Sequence, residues 1–572
     1  MSLRVRWLGR VPYEEALALQ RAIFEQTTDD YLLLMEHPHV FTLGVRADAA
    51  HVLVEPADVG AELIRVDRGG DVTYHGPGQL VGYPILTLAD HESGEMASTP
   101  DHVGAIEQVL IDSLADLGLD GAERIPGCPG VWIDAAGPSP RKIAAVGVRI
   151  GRGRSMHGFA LNIDVDTTYF DHIVPCGITD KGVTSLALEG VDVGLREVVD
   201  AVVARASATW GNGTTDRADV VWRKHLGDAD LSAFSRGLGA GAPVRYSSNR
   251  KQADGTSLRL LGRLAEAGVD TDTSIPLVDP KPEWMRAPLD LSSDVLRLRG
   301  TLRDLDLVTV CEEAGCPNLS ECWADGTATF MVCGERCTRA CGFCLVDTAR
   351  PNALDPGEPS RVAEAVERMG LTYAVLTMVA RDDLSDGGAE HVAAVIAAVR
   401  ARCPGVAIEA LISDLGGNAD AAATVIQARP DVFNHNIETP ARLQRAVRPA
   451  AGYARSLALL GRGAAAGLRT KSGVVVGIGE TFDEVVQTLT DLAAVGVDIV
   501  TIGQYLRPTS NHLPVERWWT PADFEAWKRI GTEDLGLGHV ESSPLTRSSY
   551  HARAAASSTA DAMAGVPTTV SR

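Results

Sequence analysis

YAVLTMV (373–379), VAIEALI (406–412), TKSGVVVGIG (470–479) and VDIVTIGQY (497–505) are apolar runs of strand length, separated by segments with helical spacing. Strand-then-helix alternation over more than 200 residues predicts a parallel sheet, open or closed into a barrel. The fold class is therefore α/β. Polar residues at the ends of such strands belong to loops, which is where this architecture places chemistry.

Upstream of those strands the cysteines crowd. Of ten in the chain, seven lie between Cys311 and Cys344, a density that argues for metal or cluster ligation rather than disulfides. CTRACGFC sets Cys337, Cys341 and Cys344 at Cys-x3-Cys-x2-Cys. Three thiolates on a four-iron cluster leave one iron open, and that position can chelate the amino and carboxylate groups of S-adenosylmethionine. Zinc, which prefers four ligands, fits an isolated triplet poorly. Cys333 also lies four residues before Cys337, but only the set that begins at Cys337 satisfies both intervals, so Cys333 is expected in the core. A second triplet, Cys311, Cys316 and Cys322 in CEEAGCPNLSECW, implies a second cluster that needs an oxygen donor from elsewhere.

The first 200 or so residues read as mixed α/β. YLLLMEHPHVFTLG (31–44) is a strand broken at His37-Pro38, KIAAVGVRI (142–150) and SMHGFALNI (155–163) are two short strands, and HVGAIEQVLIDSLADLGL (102–119) has helical spacing. RGGDVTYHGPGQL (68–80) is either an ordinary glycine-rich turn or a loop whose backbone approaches a ligand. Lys142 opens an apolar strand and Cys176 sits in a Pro-Cys-Gly turn. An ammonium beside a thiol favours the nucleophilic thiolate, so the two could form a dyad, although spacing does not show that they meet. From 210 to 280 the chain turns rich in Gly, Ser, Asp and Thr and reads as a linker with room for a short helix at LRLLGRLAEAG (258–268). Domains are expected at 1–209 and 281–553, with a disordered tail at 554–572.

RGGDVTYHGPGQL, PGVW (129–132), KIAAVGVRI, HGFALNI (157–163) and IVPCGI (173–178), in that order, resemble the octanoyltransferases of lipoate biosynthesis, which share an α/β fold with lipoate and biotin protein ligases. The resemblance implies that Cys176 accepts octanoyl from acyl carrier protein as a thioester and that Lys142 activates the thiol. It implies an acyl pocket of Arg68, Gly69, Gly70, Asp71, Val72, Thr73, Tyr74 and His75, closed by Ala145, Val146 and Gly147 and by Gly158, Phe159 and Ala160. No GxxxxGK[ST] phosphate loop occurs in this segment, which suits thioester transfer better than ATP-dependent ligation.

TVCEEAGCPN, ECW, CTRACGFC, ARDDLSDGGAEH, VFNHNIET, TKSGVVVGIGET, TIGQYLRP and RSSYHA, between Trp284 and Ala552, resemble lipoyl synthase, a radical S-adenosylmethionine sulfur insertase. That implies a partial TIM-type (β/α) barrel, S-adenosylmethionine and two [4Fe-4S] clusters, one on Cys337, Cys341 and Cys344, the other on Cys311, Cys316, Cys322 and Ser549, with Ser548 the alternative. Asn436, Glu438 and the turn Gly477–Glu480 are implied cofactor contacts, or else ordinary residues at strand ends. A protein-bound octanoyl chain would lose hydrogen at C6 and C8 and gain a sulfur at each. ISDL (412–415) and Ser320 depart from the usual pattern and are expected to alter a loop near the barrel mouth.

Together the halves imply consecutive reactions on lipoyl domains of 2-oxoacid dehydrogenase E2 subunits and the glycine cleavage H protein, with an electron donor such as ferredoxin or flavodoxin. Lys+Arg 53 against Asp+Glu 75 leaves a charge of −22, which excludes a global pull towards nucleic acid or anionic membrane. A modest basic cluster, Arg149, Arg152 and Arg154, is a candidate dock for the acidic carrier. The start MSLRVRWLGRVPYEEAL meets Glu14 and Glu15 before any signal-like core, so a cytoplasmic protein is expected. Two other classes fit less well: a tRNA methylthiotransferase, which would need a basic module, and a non-catalytic iron–sulfur carrier, which would need no open iron or dyad.

Overall fold

The computed structural model describes residues 2–88, 98–175, 181–222, 258–285, 300, 302, 304–305, 307, 309, 318–324 and 326–556, in two units, 1–222 and 223–572. The first unit runs β1 (Leu3–Arg10), α1 (Tyr13–Gln26), β2 (Tyr31–Glu36), β3 (Val40–Leu43), β4 (Glu62–Arg65), β5 (Val72–His75), β6 (Gln79–Ile85), α2 (Thr99–Asp116), β7 (Ala122–Ile125), β8 (Cys128–Ile133), β9 (Arg141–Gly151), β10 (Arg154–Asn162), β11 (Gly182–Val183), α3 (Leu195–Trp210) and β12 (Thr215–Asp219). Its main sheet is ordered β12-β1-β2-β6-β10-β9-β8-β7, with β11 beside β9, and a smaller sheet is ordered β4-β3-β5.

The break expected at His37-Pro38 is where the chain leaves one sheet for the other. His37 is fully buried there, bonded to the Val11 carbonyl at 2.7 Å and the Tyr83 hydroxyl at 2.7 Å. KIAAVGVRI and SMHGFALNI form the antiparallel pair β9 and β10, with Gly147 opposite Gly158. Ile106, Val109, Leu110 and Leu114 of α2 and Val198, Val199 and Val202 of α3 close one core against this sheet.

In the second unit α4 (Leu258–Glu266) and α5 (Leu319–Ala324) precede β13 (Thr327–Val332). Then follow α6 (Glu358–Arg368), β14 (Tyr373–Met378), α7 (Ala389–Arg402), β15 (Ala407–Leu411), α8 (Ala419–Gln427), β16 (Val432–Asn434), α9 (Gln444–Val447), α10 (Tyr453–Ala465), β17 (Thr470–Val476), α11 (Phe482–Ala494), β18 (Ile499–Gln504), α12 (Pro521–Arg529) and β19 (His539–Ser542). The seven strands are all parallel and each neighbours its successor in sequence, as the alternation predicts. Every loop that follows a strand therefore emerges at the same end of the sheet.

The expected domain limits need correction on both sides. Residues 215–219 are β12, hydrogen-bonded in parallel to β1, and Trp222 stacks on Trp7 with centroids 4.5 Å apart, so this stretch is fold rather than linker. Helix α4 belongs to the second unit, where Leu264 is fully buried and Ile275 bridges to Val515. Residues 554–556, expected in a disordered tail, are fold: Ala555 and Ala556 are buried and Ala556 packs with Tyr373 and Val432; 557–572 lie outside the described residues.

Inside the parallel sheet Lys471 of β17 places Nζ 3.0 Å from both oxygens of Glu409 on β15, and neither residue has exposed surface. Tyr373 donates to the same carboxylate at 2.8 Å and Asn434 at 2.7 Å. Removing one partner from such a pair strands a buried charge, at a cost of about 3–5 kcal/mol. Lys471→Met is expected to lower the unfolding free energy of the second unit by that order, read from denaturant titrations, and Lys471→Met with Glu409→Gln to recover much of it; equal values for the single and double variants would contradict this.

Two candidate catalytic centres

In the first unit the three stretches assigned to an acyl pocket do come together. Phe159 and Ala160 pair with Val146 and Ala145 across β10 and β9. Gly69 donates to the Val148 carbonyl at 2.9 Å, and a side chain on Gly147 would crowd the Gly69 carbonyl at 3.0 Å. Arg68 is buried, its Nη2 donating to the Thr42 carbonyl and hydroxyl at 2.8 Å each. Gly70 has φ +96°, and its carbonyl lies against Gly44. Val72 and Thr73 pair with Leu43 and Thr42. Asp71 is turned to His51 at 2.6 Å and to the Val72 amide, so its carboxylate serves the loop.

Tyr74 is bonded to His39 at 2.8 Å and stacks on Tyr169. From His75 a chain of bonds runs to Gln79 (2.8 Å), Asn162 (2.9 Å) and the Thr184 carbonyl (2.9 Å), and the Thr184 amide donates to the Lys142 carbonyl at 2.9 Å. Lys142 holds Nζ 4.7 Å from the centre of the buried Trp132 ring. Cys176 lies outside the described residues. The chain on its near side is fixed by Val174 donating to the His51 carbonyl at 2.8 Å, and on its far side by Val183 paired to Lys142.

The sequence reading gave no role to His157, although it heads one quoted motif. It is buried, has φ +62°, and meets Asp67 at 2.9 Å, while Arg149 meets the other Asp67 oxygen at 2.6 Å. The His157 contact, then burial opposing it, then the charges of His157 and Arg149 leave the Asp67 carboxyl well below its usual range. This corrects the expected basic dock: Arg149 is committed to Asp67, and Arg154 is buried with Nη1 on Thr87 and Nη2 on the Asp29 carbonyl.

In the second unit the loop after β13 carries Cys337, Cys341 and Cys344. Cys337 accepts a hydrogen bond from the Arg339 amide at 3.4 Å, and Gly342 is held by the Val447 carbonyl and the Leu513 amide at 2.8 Å each. The Arg339 guanidinium sits between Asp382 and Asp414, 2.6 Å from each, tying this loop to those after β14 and β15. Burial works against that guanidinium, but Asp414 and Asp382 outweigh it and hold it well above its ordinary value. Sequence alone had quoted Asp382 without a role and had treated the stretch around Asp414 only as a departure.

Burial pushes the Cys341 thiol up to about 11 and Cys344 to about 12, with each raised further by its neighbours in the trio. Three half-buried thiols on one loop suit a cationic partner. Among the described residues no three Cys, His, Asp or Glu side chains converge as ligands of a single ion do. Cys333 is a core residue, as expected, 1% exposed, its thiol pushed up to about 12 chiefly by burial.

Cys311 and Cys316 lie outside the described residues. Cys322, on α5, is buried beside the C-terminal segment: Asn318 donates to the Leu545 carbonyl at 2.8 Å and the Tyr550 hydroxyl to Glu321 at 3.2 Å. Ser548 accepts from Asn436 Nδ2 at 2.7 Å, whereas no side-chain bond engages Ser549 among the described residues. Asn436 also donates to Glu438, whose carboxyl is raised by burial against the pull of Arg448. The turn at Gly477 is self-contained: Glu480 accepts from the Gly477 and Ile478 amides and from Trp519 Nε1 at 2.6 Å, so this carboxylate holds its own loop rather than a cofactor.

A curated lipoyl synthase of Rubrobacter xylanophilus is 55% identical over 274 residues, 48% of this chain and 85% of that protein. The chain belongs to the lipoyl synthase family. The lipoyl synthase of Symbiobacterium thermophilum is 49% identical over 299 residues, 50% of this chain and 93% of its own length. The Radical SAM superfamily model matches residues 331–492, and the Lipoyl protein ligase A/B catalytic domain model matches residues 12–207. A bipartite lipoate protein ligase of Thermoplasma acidophilum aligns at 21% identity and TM-score 0.32 over 38% of this chain and 88% of that one, too distant to carry an argument. With lipoyl synthase membership come S-adenosylmethionine and [4Fe-4S] clusters, an auxiliary one included. No helix among the described residues is long and apolar enough to cross a membrane.

Burial lowers His37, His102 and His435 each to about 4. Unfolded, each takes a proton near 6.5, so stability present above that pH is lost as pH falls towards 4, by on the order of 3 kcal/mol for each group. His37→Gln is expected to flatten the fall of the first unit's urea midpoint between pH 7 and 5; an unchanged slope would show that His37 is not its source.

Proposed function

We propose that the chain performs two consecutive steps of lipoate assembly on one acylated lysine. The observation that carries this reading is that a chain of the lipoyl synthase family also matches the lipoyl protein ligase A/B catalytic domain in its other unit, where Lys142 lies over Trp132. In the first step the Cys176 thiolate attacks octanoyl-acyl carrier protein, forming an acyl-cysteine and releasing the carrier thiol. The lysine amine of a lipoyl domain then displaces Cys176 to give an amide, and Lys142 carries the proton between amine and thiolate. Trp132 holds that ammonium over its face, and Arg68 donates from Nη1 to the Gly69 carbonyl at 3.1 Å, steadying the glycine loop. The segment from His75 to Thr184 positions Lys142 through its backbone.

In the second unit Cys337, Cys341 and Cys344 would hold one cluster, and Cys311, Cys316, Cys322 and Ser549 the other; the Asn436 bond to Ser548 favours Ser549 as the free hydroxyl. When bound, these groups supply reductive cleavage of S-adenosylmethionine and the sulfur inserted at C6 and C8. Asn436 and Glu438 offer hydrogen bonds to the bound sulfonium's polar groups. Acyl carrier protein, lipoyl domains of E2 subunits and the H protein, and a ferredoxin or flavodoxin are the partners this chemistry requires, in the cytoplasm.

Anaerobic incubation of the reconstituted chain with octanoyl-acyl carrier protein, an apo lipoyl domain, S-adenosylmethionine and reductant tests both steps by mass analysis of the target lysine. The native chain should give lipoyl, Cys176→Ala no acyl group at all, and Cys341→Ala octanoyl without sulfur. Octanoyl transfer undiminished in Cys176→Ala would remove the first step; sulfur in Cys341→Ala would remove the second.

A further inference from the structure

Helix α4, which the sequence places between the two matched domains, brings a charge to the cysteine loop. Leu261 and Leu264 bury one of its faces. Arg263 emerges beside them and donates from Nη2 to the Ala446 carbonyl at 2.5 Å. The same Nη2 would lie 3.2 Å from a side chain on Gly342, the residue after Cys341. The helix is fastened over this site, because Arg442 donates to the Ala267 carbonyl and to Gly479, and Ser274 donates to Glu516 at 2.6 Å.

Three cations bear on Cys341: Arg339, Arg448 and Arg263. Arg339 is neutralised by Asp382 and Asp414. Arg448 spends Nη1 on the Asn436 and Ile437 carbonyls and lies near Glu438. Arg263 has no carboxylate in ion-pair contact among the described residues, and its Nε is buried without a hydrogen-bond partner. Burial and the neighbouring Arg259 push this guanidinium down to about 10, against the pull of Cys341 and Glu266. A cation buried without an anion is costly unless an anion occupies the space beside it.

We propose that Arg263, half-buried with its Nε out of water, is the counter-charge of the cluster held by Cys337, Cys341 and Cys344 and that it raises the reduction potential of that cluster. The proposal rests on the ligand reading above. Reduction adds a negative charge to a site where three thiolates already leave an excess, so a fixed cation in a low-dielectric wall favours the reduced form. Arg263 is thus a positioning and tuning residue, supplied by a segment outside the sheet.

The test uses the full chain with Cys311, Cys316 and Cys322 changed to Ala, so that one cluster reports, reconstituted anaerobically with iron and sulfide. Midpoints are read by electron paramagnetic resonance for R263Q, R263M and R263K, with iron content and circular dichroism on each. The neutral variants should make one-electron reduction about tenfold less favourable, a midpoint lower by roughly 59 mV, while R263K stays near the parent. Loss of iron from both neutral variants but not from R263K would also support the charge. Unchanged midpoints in the neutral variants, an equal shift in R263K, or loss of iron from all three would overturn it. If adding C341A leaves iron and signal intact, the ligand reading fails instead.

Discussion

The guanidinium of Arg339, shared by Asp382 and Asp414, holds together the end of the second unit where chemistry takes place. All three groups are nearly or fully out of water, and each comes from the loop after a different strand. Without Arg339 the two carboxylates would lose their shared cation, Asp414 keeping Arg455 at 3.7 Å and Asp382 the Thr338 hydroxyl at 2.8 Å. The cysteine loop is long and has little regular structure of its own, so it owes its shape to this clamp and to the anchors at Gly342. A parallel sheet makes the clamp possible by delivering successive loops to one edge.

The first unit meets a different constraint, that of close backbone approach. Gly69 and Gly70 cross β9 at Gly147, and Gly158 lets the Gly82 carbonyl pass at a distance a side chain would forbid. Phe159 and Val146 share one face of the sheet with the core, and Ala160 and Ala145 share the other. Lys142 is steadied from below by an aromatic face and through its own backbone by the bonds that start at His75. Most polar side chains in the motif therefore serve the loop, as Asp71 and Arg68 do.

Legibility differed by kind of residue. Strands β9, β10, β14, β15, β17 and β18 were readable because burial on one or both faces imposes period two or continuous apolar runs. Helix α4 was readable as a helix but not as part of the second unit, since its short apolar stripe is meaningful only against the surface it covers. β12, TDRAD, carries no apolar pattern at all and pairs as an edge strand through its backbone. Glu480 shared a motif with Gly477 and Gly479 and so looked like a ligand contact; its carboxylate instead satisfies amides of its own turn.

What the amino-acid sequence determined alone was local in kind: two thiol triplets with ligand spacing, a glycine-rich loop, and an alternation that permits only a parallel sheet. Residue types and intervals are properties of the covalent chain and survive without a fold. The tertiary structure decided which charges are answered and which are left over. Arg149 and Arg154 turned from a surface patch into an ion pair and a buried brace, Ser548 was claimed by Asn436, and Arg263 arrived beside Cys341 with no carboxylate in ion-pair contact among the described residues. Such contacts act through space between residues far apart in the chain, Arg4 and Asp216 being 212 positions apart, and no sequence interval encodes them.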